Sequence, residues 1–127
     1  MRHMQRSDRV AEEIKKIVAE LLRSELKDPG LPLMTTVTSV DVSRDLAYAT
    51  VYVSTLGGSS EKEQVLSVLE HSKGFIRSEV SHQLRLRQVP EFRFKYDNSS
   101  EIGSSMSKLI DDVLARDEQL RQNTHEE

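Results

Sequence analysis

Between residues 71 and 97, cations and a glycine are spaced in a way that suits the binding of phosphate groups. Lys73, Arg77 and Arg85 are separated by multiples of four, so on a helix they share one face, together with Ser81. Gly74 lies where this helical pattern begins, and glycine permits a sharp turn that leaves the first helical amides without carbonyl partners. Such amides bind phosphate. The pattern therefore predicts an anion-binding helix start.

The elements that carry these cations follow from hydrophobic periodicity. Apolar residues at every fourth position predict the buried face of one helix: Ile76, Val80 and Leu84. Pro90 stops any continuing helix, and beyond it Phe92, Phe94 and Tyr96 alternate with cations. That alternation is typical of a half-buried strand. A helix that begins at a glycine and a basic strand are thus predicted side by side.

A helix and a hairpin are predicted upstream. Residues 6–27 have apolar residues at helical spacing, with Ser7 and Asp8 suited to the cap and first turn. Residues 33–42 are rich in Thr and Val and predict a strand, although Val37 and Val40 fall on opposite phases, which indicates a bulge or a strong twist. Residues 47–54 alternate small or apolar with polar side chains, which predicts the second strand of the hairpin.

Two further helices complete the predicted fold. One follows the loop at residues 57–60, where Ser60 and Glu63 have the spacing of a capping box. The other follows residues 97–100 and carries apolar residues between Ile102 and Leu114. The predicted order is α-β-β-α-kink-α-β-α, an α+β domain in which helices pack on a three-stranded sheet. We expect this domain to occupy residues 1–116 and residues 117–127 to form an acidic, disordered tail.

Composition narrows the class of protein. The chain has 127 residues and no Cys, so disulfides and thiolate metal sites are excluded, and no apolar run approaches a membrane span of about 20 residues. A cytoplasmic location is therefore expected. The net charge is −3, yet residues 73–96 contain six cations and two anions. A polyanion responds to this local field, and the acidic remainder favours one docking orientation.

No catalytic constellation has a recognisable spacing. His71 and His82 are eleven residues apart on adjoining helical segments, where a lone His is most often a surface or capping residue. Metal motifs, a nucleophile elbow and a phosphate loop are missing from the sequence. We therefore expect no enzyme activity, no cofactor, no metal and no small-molecule substrate.

Several short motifs, taken in order, resemble those of the ribosome-binding factor A family. They cover nearly the whole chain: S-D-R-V-A-E-E-I at 7–14, K-D-P at 27–29, G-F-I-R at 74–77, L-R-L-R at 84–87, P-E-F at 90–92 and Y-D at 96–97. The resemblance implies a type II KH-like fold, binding to the small ribosomal subunit, and a part in late maturation of 16S ribosomal RNA, with importance for growth in the cold. It also implies that the chain acts as a monomer and has no membrane partner.

The chain departs from the common KH signature at one motif. RNA-binding KH domains usually clamp a backbone with Gly-x-x-Gly, which is missing here. The family that the chain resembles has Ala-x-Gly at the kink, and this chain has Ser72, Lys73 and Gly74. The serine adds a hydroxyl that could cap the helix or meet a phosphate, and both roles stay open. Recognition of RNA shape and phosphates is expected rather than reading of single-strand sequence.

The candidate RNA-binding residues combine this kink with nearby cations. They are Ser72, Lys73, Gly74, Arg77, Arg85, Arg87, Arg6 and Arg9, with Arg2 as a further cation near the start of the chain. The outer face of the first helix is expected to be solvated, with the ion pairs Arg9–Glu13 and Glu12–Lys16. The alternative is a protein-interaction module for which RNA binding is incidental, and a hydrolase or transferase is a distant third.

Overall fold

The sequence alternates helical and strand periodicities, and the computed structural model follows them. It describes residues 5–26, 28–99 and 113–114. The regular elements are α1 (Arg6–Glu20), β1 (Thr36–Val42), β2 (Tyr48–Ser54), α2 (Lys62–His71), α3 (Lys73–Leu84) and β3 (Glu91–Tyr96). The predicted order is confirmed as far as β3. The predicted last helix and tail lie outside the described residues, apart from Val113 and Leu114, which are helical.

The three strands form one sheet in the order β1-β2-β3, antiparallel and then parallel. A parallel pair needs a crossover connection, and α2 and α3 supply it between β2 and β3. The register shifts between Val37 and Ser39, which confirms the predicted bulge. The extra residue brings Val37 opposite Val53 and Val40 opposite Val51, so both valines join the core face.

The core lies between this sheet and the helices. Inward residues of the strands are fully buried, as the alternation predicted: Ala49, Val51, Val53 and Phe92. They meet fully buried aliphatic side chains of the three helices: Ile14, Val18, Val65, Leu69, Ile76 and Val80. Burying each large side chain stabilises the fold by about 1.5–3 kcal/mol. This single core orients α3 on the sheet and so positions the candidate site.

The ends of α1 differ from the prediction. Its N-cap is Gln5, whose backbone N–H donates to the Asp8 carboxylate at 3.0 Å. Ser7 is buried within the helix. The α-helical geometry stops at Glu20 and continues as a π-helical turn over Leu21–Glu25. On the outer face Lys16 pairs with Glu13 at 3.6 Å, so the predicted pairing of Lys16 with Glu12 was wrong.

The predicted capping box of α2 was also wrong. A 3-10 turn over Gly58–Glu61 precedes the helix, which makes Glu61 its N-cap. The Ser60 hydroxyl donates to the Gly57 carbonyl at 3.0 Å, and the Gly57 amide donates to Glu61 at 2.7 Å. The side chains of Ser60 and Glu61 therefore stabilise the loop and do not cap α2. Within the described ranges, no helix is long and apolar enough to cross a membrane.

Candidate nucleic-acid interface

The bend between α2 and α3 is made by Ser72, not by the glycine. Ser72 has φ −94° and ψ 4°, which interrupts the helix, while Gly74 is the second residue of α3. The Ser72 amide completes α2 by donating to the Val68 carbonyl at 3.0 Å. Gly74 is not among the described residues with a positive φ. The prediction of a glycine turn was therefore wrong in position by two residues.

The start of α3 has amides without an acceptor inside the helix, as at the start of any helix. The first bond of α3 runs from the Ile76 amide to the Ser72 carbonyl at 3.0 Å. The amides of Lys73, Gly74 and Phe75 precede this bond and have no acceptor within α3. The half-buried Ser72 side chain forms no capping bond. These amides give the helix start the partial positive charge that favours an anion.

Gly74 leaves the surface of this helix start open. A Cβ built on Gly74 would meet no atom within 4 Å. Neither crowding inside the chain nor a left-handed backbone requires glycine here. What glycine does provide is bare backbone at the surface, against which another molecule can come close.

Among the predicted cations in the described part of the chain, Lys73 is the one that a described carboxylate neutralises. Its Nζ lies 2.8 Å from Glu70 Oε2, and its side chain is only 33% exposed. An ion pair this close to the surface contributes about 0–1 kcal/mol, so a phosphate can replace the carboxylate at small cost. Lys73 therefore contributes less positive potential than the sequence predicts.

Arg77 borders an open groove of about 310 Å³ that begins at Gly74. The groove is lined by Gly74, Arg77, Ser78, Ser81 and Val89. Arg77 Nη2 donates to the Val89 carbonyl at 3.3 Å, which ties α3 to the loop before β3 and holds the guanidinium at the groove. The groove thus combines a fixed cation, two hydroxyls and bare backbone.

Arg85 departs from the helical column in which it was predicted. It follows the last residue of α3 with φ 51°, and its amide donates to the Ser81 carbonyl at 3.0 Å. The left-handed conformation costs a non-glycine residue about 1–2 kcal/mol and ends the helix. Pro90, predicted to stop the helix, is instead buried directly before β3. Arg85 is exposed at the end of α3.

Arg87 lies beside Arg6, although the two are distant in sequence. Both line an open cavity of about 430 Å³, together with Asp45, Leu46, Leu86 and Gln88. Within the described part of the chain, Arg6, Arg85 and Arg87 form no ion pair. Arg9 is exposed on α1 but borders neither this cavity nor the Gly74 groove. Arg2 lies outside the described residues.

Asp45 is the negative group at this end of the site. The Ser43 hydroxyl donates to its Oδ1 at 2.7 Å and the Ala47 amide donates to the same atom at 3.1 Å. These two hydrogen bonds hold the pKa of the Asp45 carboxyl below its usual value, and the bond from Ser43 has the larger effect. The carboxylate is thus ionised near Arg6 and Arg87 at neutral pH.

Sequence reasoning missed three residues of this surface. Glu70 could have been found, because residues three apart on a helix are neighbours and Glu70 precedes Lys73 by three. The Val89 carbonyl and the Asp45 carboxylate carry no local signal, since loops from distant parts of the chain bring them to the site.

Comparisons with known proteins show the family and the fold. The family model described as ribosome-binding factor A matches residues 6–110. Ribosome-binding factor A of Chromohalobacter salexigens is 45% identical over 119 residues, 92% of this chain and 90% of that protein. The crystal structure of ribosome-binding factor A from Thermus thermophilus is 25% identical, with a TM-score of 0.60 over 69% of this chain and 92% of that one.

The Thermus thermophilus relative has also been fitted into a map of a complex. A homology model of Thermus thermophilus RbfA, fitted into a cryo-EM map of a 30S–RbfA complex, matches with a TM-score of 0.58 and 25% identity. The match covers 70% of this chain and 92% of that one. The helices and three-stranded sheet described above have the type II KH-like arrangement of these relatives. This chain belongs to the ribosome-binding factor A family.

Proposed function

We propose that this chain is a non-enzymatic ribosome assembly factor that binds the small (30S) ribosomal subunit and assists late maturation of 16S rRNA, including at low temperature. One observation carries the proposal: a relative with the same fold was fitted into the map of a 30S complex. The factor acts in the cytoplasm as a monomer, without cofactor, metal or small-molecule substrate. It holds an immature RNA conformation by binding and performs no covalent chemistry.

The docking face consists of Gly74, Arg77, Arg85, Arg87 and Arg6. The open backbone at Gly74 receives a phosphate at the amides of the helix start, and the four arginines neutralise phosphates further along. Arginine suits this role because its planar group binds phosphate in a bidentate manner.

Three other candidates support the docking face. Lys73 joins it by exchanging Glu70 for a phosphate, and Ser72 offers its hydroxyl at the bend. Arg9 extends the positive potential along α1. Each contributes less than the arginines of the docking face. Lys73 is paired, Ser72 is neutral, and Arg9 lies outside both cavities and, unlike Arg85, is not next in the chain to a residue that lines one of them.

Charge reversal with a salt series tests the docking face. The variant carries Arg77→Glu, Arg85→Glu and Arg87→Glu, and its affinity for purified small subunits is measured by sedimentation from low to high salt. Removing one cation–phosphate interaction lowers the slope of log affinity against log salt by about 0.7–0.9, so the triple change lowers it by roughly 2–3.

A matched variant separates this effect from a change of net charge. Lys16→Glu, Arg23→Glu and Lys62→Glu alter the same number of exposed cations away from the docking face. The control is expected to keep the wild-type slope within about one unit. If both triple variants bind with the wild-type affinity and slope, the docking face is wrong. Chemical footprinting of 16S rRNA in subunits, with and without the protein, tests the maturation role through the nucleotides that it protects.

A protein-interaction module is the second candidate, and one surface favours it. Leu33, Met34 and Leu56 are 81%, 68% and 75% exposed. Leu33 and Met34 also line a cavity of about 730 Å³ between residues 16–23 of the first helical segment and residues 31–37. An exposed apolar surface of this kind is typical of protein contacts. Binding to intact subunits that is insensitive to salt, with none to rRNA fragments, would favour this second candidate.

A further inference from the structure

The face of the sheet opposite the helices carries aromatic and basic side chains. Because strand residues alternate, the inward residues of β2 and β3 are buried and the outward ones form a second surface. The outward residues of these strands are Tyr48, Thr50, Tyr52 and Ser54 of β2, and Glu91, Arg93 and Lys95 of β3. The described helices α1, α2 and α3 pack on the other face, and four of these side chains are exposed: Tyr48, Glu91, Arg93 and Lys95.

Tyr48 and Arg93 form a stacked pair on this surface. The Arg93 guanidinium carbon lies 4.3 Å from the centroid of the Tyr48 ring, and Tyr48 is 42% exposed. A cation–π contact restricts the ring and one planar cation to a common stack. The pair is therefore a preformed platform, and nucleobases stack both on tyrosine rings and on guanidinium planes.

Tyr52 is a second tyrosine on this surface, half-buried and further along β2. It lies opposite Lys95 in the parallel register, as Tyr48 lies opposite Glu91. Four residues of strand separate the two rings by about 13 Å. A stacked base step advances only about 3.4 Å. The two rings therefore suit two separate nucleotides of one extended strand.

A polar cavity adjoins Tyr48 at the hairpin end of the sheet. Its volume is about 460 Å³, and Tyr48, Thr50, Asp41, Ser43 and Arg44 line it, with Gln5, Ser7 and Asp8. These side chains include hydrogen-bond donors and acceptors, which the edge of a base requires. Asp41 in particular can accept from an exocyclic amine of the kind that cytosine and adenine carry.

The cations nearest the rings lie on β3. Arg44, Arg93 and Lys95 are exposed, and so are the carboxylates of Asp8, Asp41 and Glu91, of which Asp8 and Asp41 line the polar cavity. Arg93 and Lys95 flank the rings on β3, where they can reach the phosphates between two stacked bases. Tyrosine is also a good strand former, but strand propensity alone does not explain the guanidinium stack or the adjoining cavity.

We propose that this sheet face is a second RNA-binding surface, at which single-stranded RNA stacks one base on Tyr48 and another on Tyr52 while Arg93 and Lys95 contact the phosphates. It goes beyond the proposed function, because it uses none of the docking-face residues and takes an unpaired strand instead of folded rRNA. It requires no bond to be made or broken.

Tyrosine fluorescence tests the proposal directly. The chain has three Tyr and no Trp, and Tyr96 packs against the core, so quenching reports mainly on Tyr48 and Tyr52. An unstructured RNA of eight nucleotides is titrated into the full chain, and anisotropy of a labelled copy gives the affinity. We expect quenching, and we expect Tyr48→Ala and Tyr52→Ala each to weaken binding by about 5- to 100-fold.

Matched variants keep the test independent of folding. Tyr48→Phe retains the ring and is expected to bind within about threefold of wild type, whereas Tyr48→Leu retains bulk without a ring and is expected to weaken binding like alanine. Circular dichroism checks that each variant is folded. The proposal is overturned if the wild-type chain does not bind the RNA, or if Tyr48→Leu and Tyr52→Ala both bind like wild type.

The same proteins distinguish this surface from the docking face. The triple arginine variant is expected to bind the short RNA with at most a few-fold loss, since Arg44, Arg93 and Lys95 are unchanged. A chain that binds subunits but no single-stranded RNA overturns this inference and leaves the proposed function intact. Quenching that depends on both tyrosines, without any subunit binding, supports the inference and refutes the proposed function.

Discussion

The two ends of α3 carry similar cations but present them differently. At the N-terminal end Lys73 is paired with Glu70, and the open feature is the bare backbone at Gly74. At the C-terminal end Arg85 and Arg87 are exposed, and Arg6 of α1 lines the same cavity as Arg87. The first end can offer amides and close approach, whereas the second can offer cations that pair with no described carboxylate. From the spacing of the cations alone, the two ends would have been expected to bind phosphate equally well.

The difference arises from which neighbours each end has. Glu70 comes from the preceding helical turn, so Lys73 meets it by local geometry. Arg85 and Arg87 follow the end of α3, in a loop that begins with a left-handed residue, and their neighbours are set by packing of the hairpin turn and α1. We expect close contact to depend on the N-terminal end and salt dependence to depend on the C-terminal end.

The largest effect is expected at Gly74. Gly74→Leu places a side chain where another molecule's backbone is proposed to lie, and such overpacking costs about 1–3 kcal/mol, or roughly 5- to 150-fold in subunit affinity. Subunit binding by sedimentation measures the loss. Gly74→Ala serves as the companion variant, and thermal unfolding should show it to be as stable as wild type or up to about 1 kcal/mol more stable. Unchanged affinity of the leucine variant would remove the N-terminal end from the docking face.

A smaller effect is expected when Lys73 is released from its ion pair. Glu70→Gln removes the carboxylate that competes with a phosphate for the ammonium, so subunit affinity should rise and the salt slope should steepen by at most about 0.7–0.9. Lys73→Ala in the wild-type background should change the slope less than Arg87→Ala does. The measurement is the same salt series for all three variants. An equal change for Lys73→Ala and Arg87→Ala would contradict the difference between the two ends.

The smallest effect is expected at the hairpin turn beside the C-terminal end. Asp45→Ala removes the bonds from Ser43 and Ala47, which lowers thermal stability slightly at pH 7. Because the folded pKa of Asp45 is lowered, its stabilisation is complete above the unfolded value of about 3.9 and is lost as the pH falls through the folded pKa. The melting temperatures of wild type and of Asp45→Ala should therefore converge below about pH 4. A difference that persisted in acid would show that the carboxylate is not its source.

Much of the fold follows from local patterns. The alternation in β2 and β3, the helical spacing of Ile76 and Val80, and the out-of-phase valines of β1 all predicted what the structure shows. The helix ends were predicted less well. Ser7, Ser60 and Pro90 each have a local signature of a boundary, but competing hydrogen bonds or burial gave them other roles.

The site divides in the same way. The sequence by itself determined which residues are cationic, that they cluster near a glycine, and that the chain resembles ribosome-binding factor A. Only the tertiary structure decided that Lys73 is paired, that Arg6 joins Arg87, and that Tyr48 stacks with Arg93 on the open face of the sheet. The reason is physical: residue type and periodicity are local properties, whereas the pairing of a charge depends on which distant side chains the packed core brings within a few ångströms.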